Sequence, residues 1–191
     1  MKNIALAEIS NQHVPMNNWQ AKRINITGYI GYVLNNDSLI QYALSSYKEY
    51  ISKALYADGS SNDLIERDAL SYHIGGLEPL LRFLISTALF SGHEAYSLFS
   101  MEGYNGGSVK KAVAYVLPYA RGEKTYYQWK NSKVELDKQR AIAGIEEYLP
   151  GPAFKKEKSW PMFELACYFD TSYCSIVPEL TWISLMLRRQ Q

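Results

Sequence analysis

Across residues 38–55 the apolar side chains Leu39, Ile40, Ala43, Leu44, Tyr47, Tyr50, Ile51 and Leu55 recur at three- and four-residue steps. That spacing gathers them on one stripe of an α-helix, and a stripe of this length has to be covered by other elements. Asp58-Gly59-Ser60-Ser61-Asn62-Asp63 then breaks the pattern. Upstream, Ile24, Ile26, Tyr29, Ile30, Tyr32, Val33 and Leu34 also follow helical spacing, and Asn35-Asn36-Asp37-Ser38 closes one helix and caps the next. The two arms form a helical hairpin. Further helices are predicted from about 74–79 to 91, over 109–119 after the Asn105-Gly106-Gly107-Ser108 break, over 133–148, over 162–169 and over 178–189. Gly75-Gly76 blurs the start of the first of these, Gly151-Pro152 ends the one that begins at Lys133, and residues 154–159 form a charged, solvated connection.

No stretch sustains the period-two alternation of a sheet. The expected fold class is all-α: antiparallel helical hairpins stacked into a curved α/α array, whose inner helices line a groove and whose outer helices shield it. Neither a repeat nor a domain boundary is visible, so residues 1–191 are read as one domain.

Composition narrows the function. Lys+Arg 20 against Asp+Glu 19 leaves a formal net charge of +1, so no global field recruits nucleic acid, and an anionic ligand must be held by local clusters. The 16 tyrosines and 4 tryptophans are amphipathic rings that either stack on sugar faces or fill gaps between helices. Cys167 and Cys174 have neither zinc spacing nor a redox motif and read as two buried thiols, with a disulfide as the alternative. Glu8 and Asn11 interrupt the N-terminus before a signal-peptide core builds up, and no apolar run approaches the ~20 residues of a bilayer span, so a soluble, untargeted chain with no membrane partner is expected. A Gly-rich phosphate loop, a Gly-x-Ser-x-Gly elbow and a His-Glu-x-x-His pair are all lacking. No cofactor and no metal is expected; His13 and His73 with Asp58 have no recognisable ligand spacing.

Chemistry-bearing residues gather in two places. Within Glu66-Arg67-Asp68-Ala69-Leu70-Ser71-Tyr72-His73, Arg67 lies five residues before Tyr72. A cation beside a phenol favours the phenolate, which would let Tyr72 serve as base and acid in turn. The plainer reading has Arg67 paired with Glu66, Asp63 or Asp68 while Tyr72 packs. The second cluster, Asn17-Asn18-Trp19 with Lys22 and Arg23, opens a helix. Asn17 reads as the cap; Asn18 either caps as well or donates to a carboxylate. His13 and His73 adjoin the two clusters, whereas His93 sits at a helix end; each is either a functional imidazole or a hydrogen-bonded structural one.

These segments resemble the alginate lyase family of polysaccharide lyases. Asn17-Asn18-Trp19 stands where that family has an Asn-Asn-His type motif, Asp58-Gly59-Ser60 matches its Asp-Gly-Ser turn, and Arg67-Asp68-Ala69-Leu70-Ser71-Tyr72-His73 is similar to its Arg-Ala-Leu-His-Tyr-His segment. Glu78-Pro79-Leu80, Phe163-Glu164-Leu165-Ala166 and Tyr168-Phe169-Asp170 extend the likeness. The resemblance implies an (α/α) toroid, here incomplete and matching the C-terminal half, and β-elimination on an anionic uronic-acid polymer such as alginate. It implies that Asn18 binds the carboxylate, Tyr72 shuttles protons and Arg67 supports the phenolate, with Trp19 stacking on a sugar ring and Asn17, Lys22 and Arg23 adding substrate contacts. The motif histidine is replaced by Trp19, which leaves His13 or His73 to supply the imidazole, and the family's functional arginine falls at Ile65 or at Arg67. A glycan- or protein-binding module without catalysis is the alternative. An open half-toroid exposes apolar faces, which implies a homo-oligomer or a missing N-terminal half. Family members are typically periplasmic or secreted, although this sequence shows no signal peptide.

Overall fold

Two asparagine caps set the first hairpin. Asn17 Oδ1 accepts from the Trp19 amide at 3.0 Å and starts α2 (Asn18–Val33); Asn36 Oδ1 accepts from the Leu39 amide at 3.1 Å and starts α3 (Asp37–Ala54). Each cap satisfies one of the amides that a helix start leaves free. The computed structural model describes residues 1–11, 13–92 and 94–178. Among them the fold is all-α, with isolated β-bridges at Leu55–Ser61, Tyr56–Gly106 and Tyr127–Ala153 and no strand.

A short α1 (Lys2–Ser10) precedes the hairpin, and α4 (Asn62–Arg67) follows it. The long α5 (Leu70–Ser91) packs against α2, α4, α6 (Glu94–Ser100), α7 (Val109–Ala120) and α9 (Trp160–Ala166). It buries His73, Ile74, Leu77, Leu80, Leu81, Phe83 and Leu84 in the main core beside Tyr47, Tyr50, Ile51 and Leu55 of the hairpin side. Helix α2 lies between α1, α3 and α5 and is buried on most of its faces. Gly28 makes this approach feasible: a Cβ there would sit 2.4 Å from the Phe83 ring. Two buried hydroxyls fix the register, with Tyr32 Oη donating to Thr87 Oγ1 at 3.0 Å and Tyr47 Oη donating to the Leu98 carbonyl at 2.9 Å.

Several boundaries differ from the sequence expectation. Helix α5 begins at Leu70, ahead of the Gly75-Gly76 pair, because Asp68 at φ 50° ends α4 in the left-handed region and Ala69 is extended. Tyr72 and His73 therefore occupy the first turn of a helix and not a connecting turn. The helix predicted over 133–148 is only α8 (Glu135–Ile142); Gly144 at φ 74° stops it, and a 3₁₀ turn, Glu146–Tyr148, follows. Its apolar residues Leu136, Ile142 and Ile145 face solvent and drive no packing. Helices α1, α4 and α6 were not foreseen, being too short to show a period. The helix predicted over 178–189 lies outside the described residues apart from Pro178, as does His93.

Two further corrections concern chemistry. Cys167 and Cys174 form a disulfide and are not free thiols: α9 ends at Ala166, and the 3₁₀ turn Thr171–Ile176 brings the two Cα atoms to 4.9 Å. Helix α5 is, by length and composition alone, long and apolar enough to cross a membrane, contrary to the expectation that no such run exists. In the fold it is the core helix, with more than half of its most apolar stretch buried.

Candidate active site

The segment that leads into α2 and four residues of α4 border an open cleft of 410 Å³ lined by Pro15, Met16, Asn17, Asn62, Asp63, Glu66, Arg67 and Val134. Ser61 places α4 by capping it, its Oγ accepting from the Leu64 amide at 3.3 Å. The two polar clusters of the sequence are thereby brought together at Asp63, whose Oδ2 accepts from the Asn18 backbone amide at 2.7 Å. Beside it Gly76 of α5 carries no side chain; a Cβ there would meet Tyr50 Oη at 3.3 Å and Asp63 Oδ2 at 3.4 Å. Asp63 is 2% exposed, and burial pushes its carboxyl up to about 7 against the opposing pull of the Asn18 amide, Arg67 and Lys22. Asn18 Oδ1 and Asp63 Oδ1 are both buried without a hydrogen-bond partner.

Arg67 links this cleft to the tyrosine. Its guanidinium carbon lies 4.1 Å from the centroid of the Tyr72 ring, so the cation sits on the ring face. Its Nη1 donates to Asp137 Oδ1 at 2.6 Å, and Ser132 Oγ donates to Asp137 Oδ2 at 3.0 Å. The ion pair thus goes to Asp137 and not to Glu66, Asp63 or Asp68. Tyr72 Oη is hydrogen-bonded to Tyr148 Oη at 3.0 Å, and Arg140 Nη1 donates to Tyr148 Oη at 2.6 Å. Burial and the bond to Tyr72 push the Tyr148 phenol up to about 12, Arg140 opposing. Trp129 completes the cluster, edge-on to Tyr72 at 5.4 Å and 5.0 Å from Tyr148. Two further hollows flank it, one of 140 Å³ lined by Asp137 and Tyr148, one of 440 Å³ lined by Ser71, Gln128, Lys155 and Lys158; Trp129 borders both.

Asp68 holds this covering segment in place. Tyr126 Oη donates to Asp68 Oδ1 at 2.7 Å, the Asn131 amide donates to Oδ2 at 2.8 Å, and the Trp129 amide donates to the Asp68 carbonyl at 2.7 Å. Asp63, Asp68, Trp129, Asp137, Arg140 and Tyr148 went unnoticed as site residues in the sequence. Asp68 lies inside the Arg67–His73 segment and Asp63 in the break before it, but Trp129, Asp137, Arg140 and Tyr148 belong to no local motif, and the six meet only through the fold.

The remaining sequence candidates divide sharply. Trp19 is 61% exposed on α2 with Lys22 Nζ 5.2 Å from its ring centroid, a free aromatic and cationic platform. His13 is exposed beside Asn11, and Asn17 is the α2 cap. His73 is 1% exposed with both ring nitrogens engaged, Nδ1 with Ser61 Oγ at 2.7 Å and Nε2 with the Ala112 carbonyl at 3.0 Å. A carbonyl only accepts, so Nε2 carries the proton and Nδ1 accepts from Ser61. Burial lowers this imidazole to about 4, and it is placed as a structural residue joining α4, α5 and α7. Arg23 is also buried: Nη2 donates to the carbonyls of Glu8 and Asn11, closing the end of α1, and Nη1 donates to Gln20 Oε1 at 3.4 Å. Both are buried, His73 with both ring nitrogens engaged and Arg23 with Nη1 and Nη2 engaged while its Nε is buried without a partner, so neither is presented to a ligand. Asp58 accepts from the Ser60 amide and hydroxyl in a tight turn, as its sequence suggested, and those bonds lower its carboxyl below the usual range.

No curated protein and no solved structure matches the chain. The sequence model of one family, described as alginate lyase, matches residues 2–126. That span holds Asn17-Asn18-Trp19, Asp58-Gly59-Ser60 and Arg67 through His73, whereas Trp129, Asp137, Arg140, Tyr148 and the 163–170 segment lie outside it. With nearly two thirds of its length matched, the chain belongs to the alginate lyase family and is polysaccharide lyase-like.

Proposed function

We propose that this domain cleaves an anionic uronic-acid polymer by β-elimination at the cleft between α2 and α4. The observation that carries this reading is the contact of Arg67 with Tyr72, since Arg67 also lines the cleft. A uronate carboxylate bound beside Asn18 and Lys22 has its charge offset, which stabilises the enolate-like charge that develops when the neighbouring proton leaves. Tyr72, as phenolate, takes that proton from C5; the C–H electron pair forms the C4–C5 double bond, the C4–O bond breaks, and the leaving oxygen takes the proton back from Tyr72. The Tyr148 hydroxyl donates to the phenolate oxygen and is itself held by Arg140 Nη1. Lys22 stands one helical turn beyond Trp19 and takes the charge-neutralising part of the missing motif histidine.

Incubation with alginate, polymannuronate and glucuronan tests the reading through the ultraviolet absorbance of unsaturated ends. Cleavage that is abolished in Tyr72→Phe supports it; no product from any polyuronate removes it.

A second reading, a glycan-binding module without cleavage, draws on one observation: the motif histidine is an exposed Trp19 and the other imidazole of the site, His73, is sealed. It predicts saturable binding of the same polymers that weakens in Trp19→Ala and Lys22→Ala, with no unsaturated ends formed.

A further inference from the structure

The 440 Å³ hollow beside Trp129 shares no lining residue with the cleft between α2 and α4, and of its walls only Ser71 lies within the span matched to the alginate lyase family. Its volume falls in the range of small-molecule sites, about 300–1,000 Å³. Gln128 borders it, 6% exposed, with its backbone amide donating to the Pro152 carbonyl at 3.0 Å and its carbonyl accepting from the Gly151 amide at 2.8 Å. The side chain is fixed as well. Oε1 accepts from the Ser71 amide at 2.9 Å, and since a backbone N–H only donates, Nε2 is the end left free. Among the described residues no acceptor takes its hydrogens, and it is not one of the sealed atoms. Trp129 follows at φ 64°, a left-handed conformation that a bulky residue seldom adopts. The hydrogen bond from its amide to the Asp68 carbonyl, at 2.7 Å, holds it there, and its buried indole Nε1 has no partner among the described residues. A strained residue held by its neighbours, next to an unspent amide, is where a fold specifies geometry beyond what packing needs.

Charge selects the ligand. Lys155 and Lys158 line the hollow from one segment and Glu146 and Glu147 from another, all four exposed. Among the described residues none of them is in an ion pair, so opposite charges border one space without closing on each other. The occupant must bring an anionic group for the lysines and the Gln128 N–H₂, and donors for the glutamates. A polyphosphate brings charge but is repelled by the glutamates; a neutral glycan leaves the lysines unused. A hexuronate unit brings one carboxylate and several hydroxyls on a single ring.

We propose that this hollow is a second saccharide site, which takes a uronate unit with its carboxylate on Lys155, Lys158 and Gln128 Nε2 and its hydroxyls on Glu146, Glu147 and Ser71 Oγ. The assignment rests on the polyuronate reading of the chain, and its charged contacts all lie outside the matched residues 2–126. Ser71 precedes Tyr72 in the first turn of α5, and the Trp129 ring meets the Tyr72 ring edge-on at 5.4 Å. A saccharide held there lies beside the tyrosine pair, and its binding is read at the Trp129 indole.

The test titrates the full chain carrying Tyr72→Phe, chosen so that the probe is not cut, with a saturated mannuronate trisaccharide, with cellotriose and with tripolyphosphate. The Trp129 indole N–H signal in the nitrogen-15 spectrum and the backbone amides of Lys155 and Lys158 report the hollow. The trisaccharide is expected to move all three saturably and cellotriose to move none. Lys155→Gln combined with Lys158→Gln should weaken the affinity read there by about tenfold or more. Lys22→Ala, on the cleft side, leaves that affinity unchanged; a matching loss in it would place the contact at the cleft and overturn the proposal. Signals that stay in place at about 10 mM trisaccharide, or unaltered affinity in the double lysine variant, also overturn it. Equal shifts with tripolyphosphate make the hollow a general anion site and overturn it too. The lyase reading fails separately: hollow signals that titrate in a wild type that forms no unsaturated ends keep this site and remove that reading, whereas unsaturated ends with no response at the hollow do the reverse.

Discussion

The Arg67 guanidinium carbon lies over the Tyr72 ring, 4.1 Å from its centroid, while its Nη1 is bonded to Asp137 at 2.6 Å. One cation is thus shared between a phenol ring and a carboxylate seventy residues away in sequence. The side chains of this pair are 11% and 2% exposed, so removing one partner strands a buried charge. Asp137→Ala is expected to destabilise the fold by about 3 kcal/mol in urea unfolding, and Arg67→Met combined with Asp137→Ala by clearly less than the sum of the single changes.

Sealed by two hydrogen bonds, His73 is expected to matter for folding rather than for turnover. His73→Ala leaves Ser61 Oγ and the Ala112 carbonyl without that partner and should cost about 3 kcal/mol at neutral pH. The imidazole is lowered to about 4, so its contribution is present at neutral pH and lost as pH falls from the unfolded value of about 6.5 towards the folded one. Thermal unfolding of wild type and variant between pH 4 and 7 checks this: the gap between them should narrow in acid.

Asp63 runs in the opposite sense. Its carboxyl is raised to about 7, so its contribution is present in acid and lost as pH rises from the unfolded carboxylate value through neutrality. Asp63→Asn should therefore gain on wild type by at most about 4 kcal/mol as pH climbs from 4 to 8, read by the same thermal series. Because the two residues oppose each other, the wild-type curve should be flatter between pH 4 and 7 than either single variant implies.

How much of this was legible in the sequence follows from range. The hairpin of α2 and α3 was readable because its stripe and its asparagine caps are local, and α7 was bounded almost to the residue for the same reason. Helix α4 has only six residues, too few for a period, so the turn that carries Asp63 and Arg67 into the cleft was read as a plain break. The partner of Arg67 was misjudged because near neighbours in sequence, Glu66 and Asp68, were weighed and a residue on a distant segment was not. Arg23 seemed available to a ligand since it follows Lys22 on a helix, yet the step of one residue rotates it from solvent to the α1 side. The family resemblance, by contrast, rested on short motifs, of which those around Asn17–Trp19, Asp58–Ser60, Arg67–His73 and Glu78–Leu80 fall within the matched residues 2–126 and those over 163–170 do not.

That burial of Arg23 makes its own prediction. Arg23→Met removes the donors that close the end of α1, and α1 joins the minor core of Ile30 and Leu39 through the small Ala5 with Ile9 packed partly buried against it. Amide exchange across Lys2–Ser10 should accelerate by at least tenfold while exchange in α5 is unchanged, a local opening and not a global one.

Reduction of the Cys167–Cys174 bond opens a loop of seven residues' separation, for which chain entropy predicts a loss of about 2 kcal/mol. Urea midpoints with and without reductant, and for Cys167→Ser with Cys174→Ser, should agree with each other and fall below that of the oxidised chain.

The central claim is that Tyr72 carries the proton in a β-elimination. Its most direct measurement is the rate of unsaturated-end formation from a polyuronate by wild type and by Tyr72→Phe, alongside the affinity of both for the same polymer. The account predicts product from wild type, a loss of at least a thousandfold in Tyr72→Phe, and affinities within a factor of about three. Equal rates in the two proteins, or polymer binding by wild type without any unsaturated ends, would contradict it.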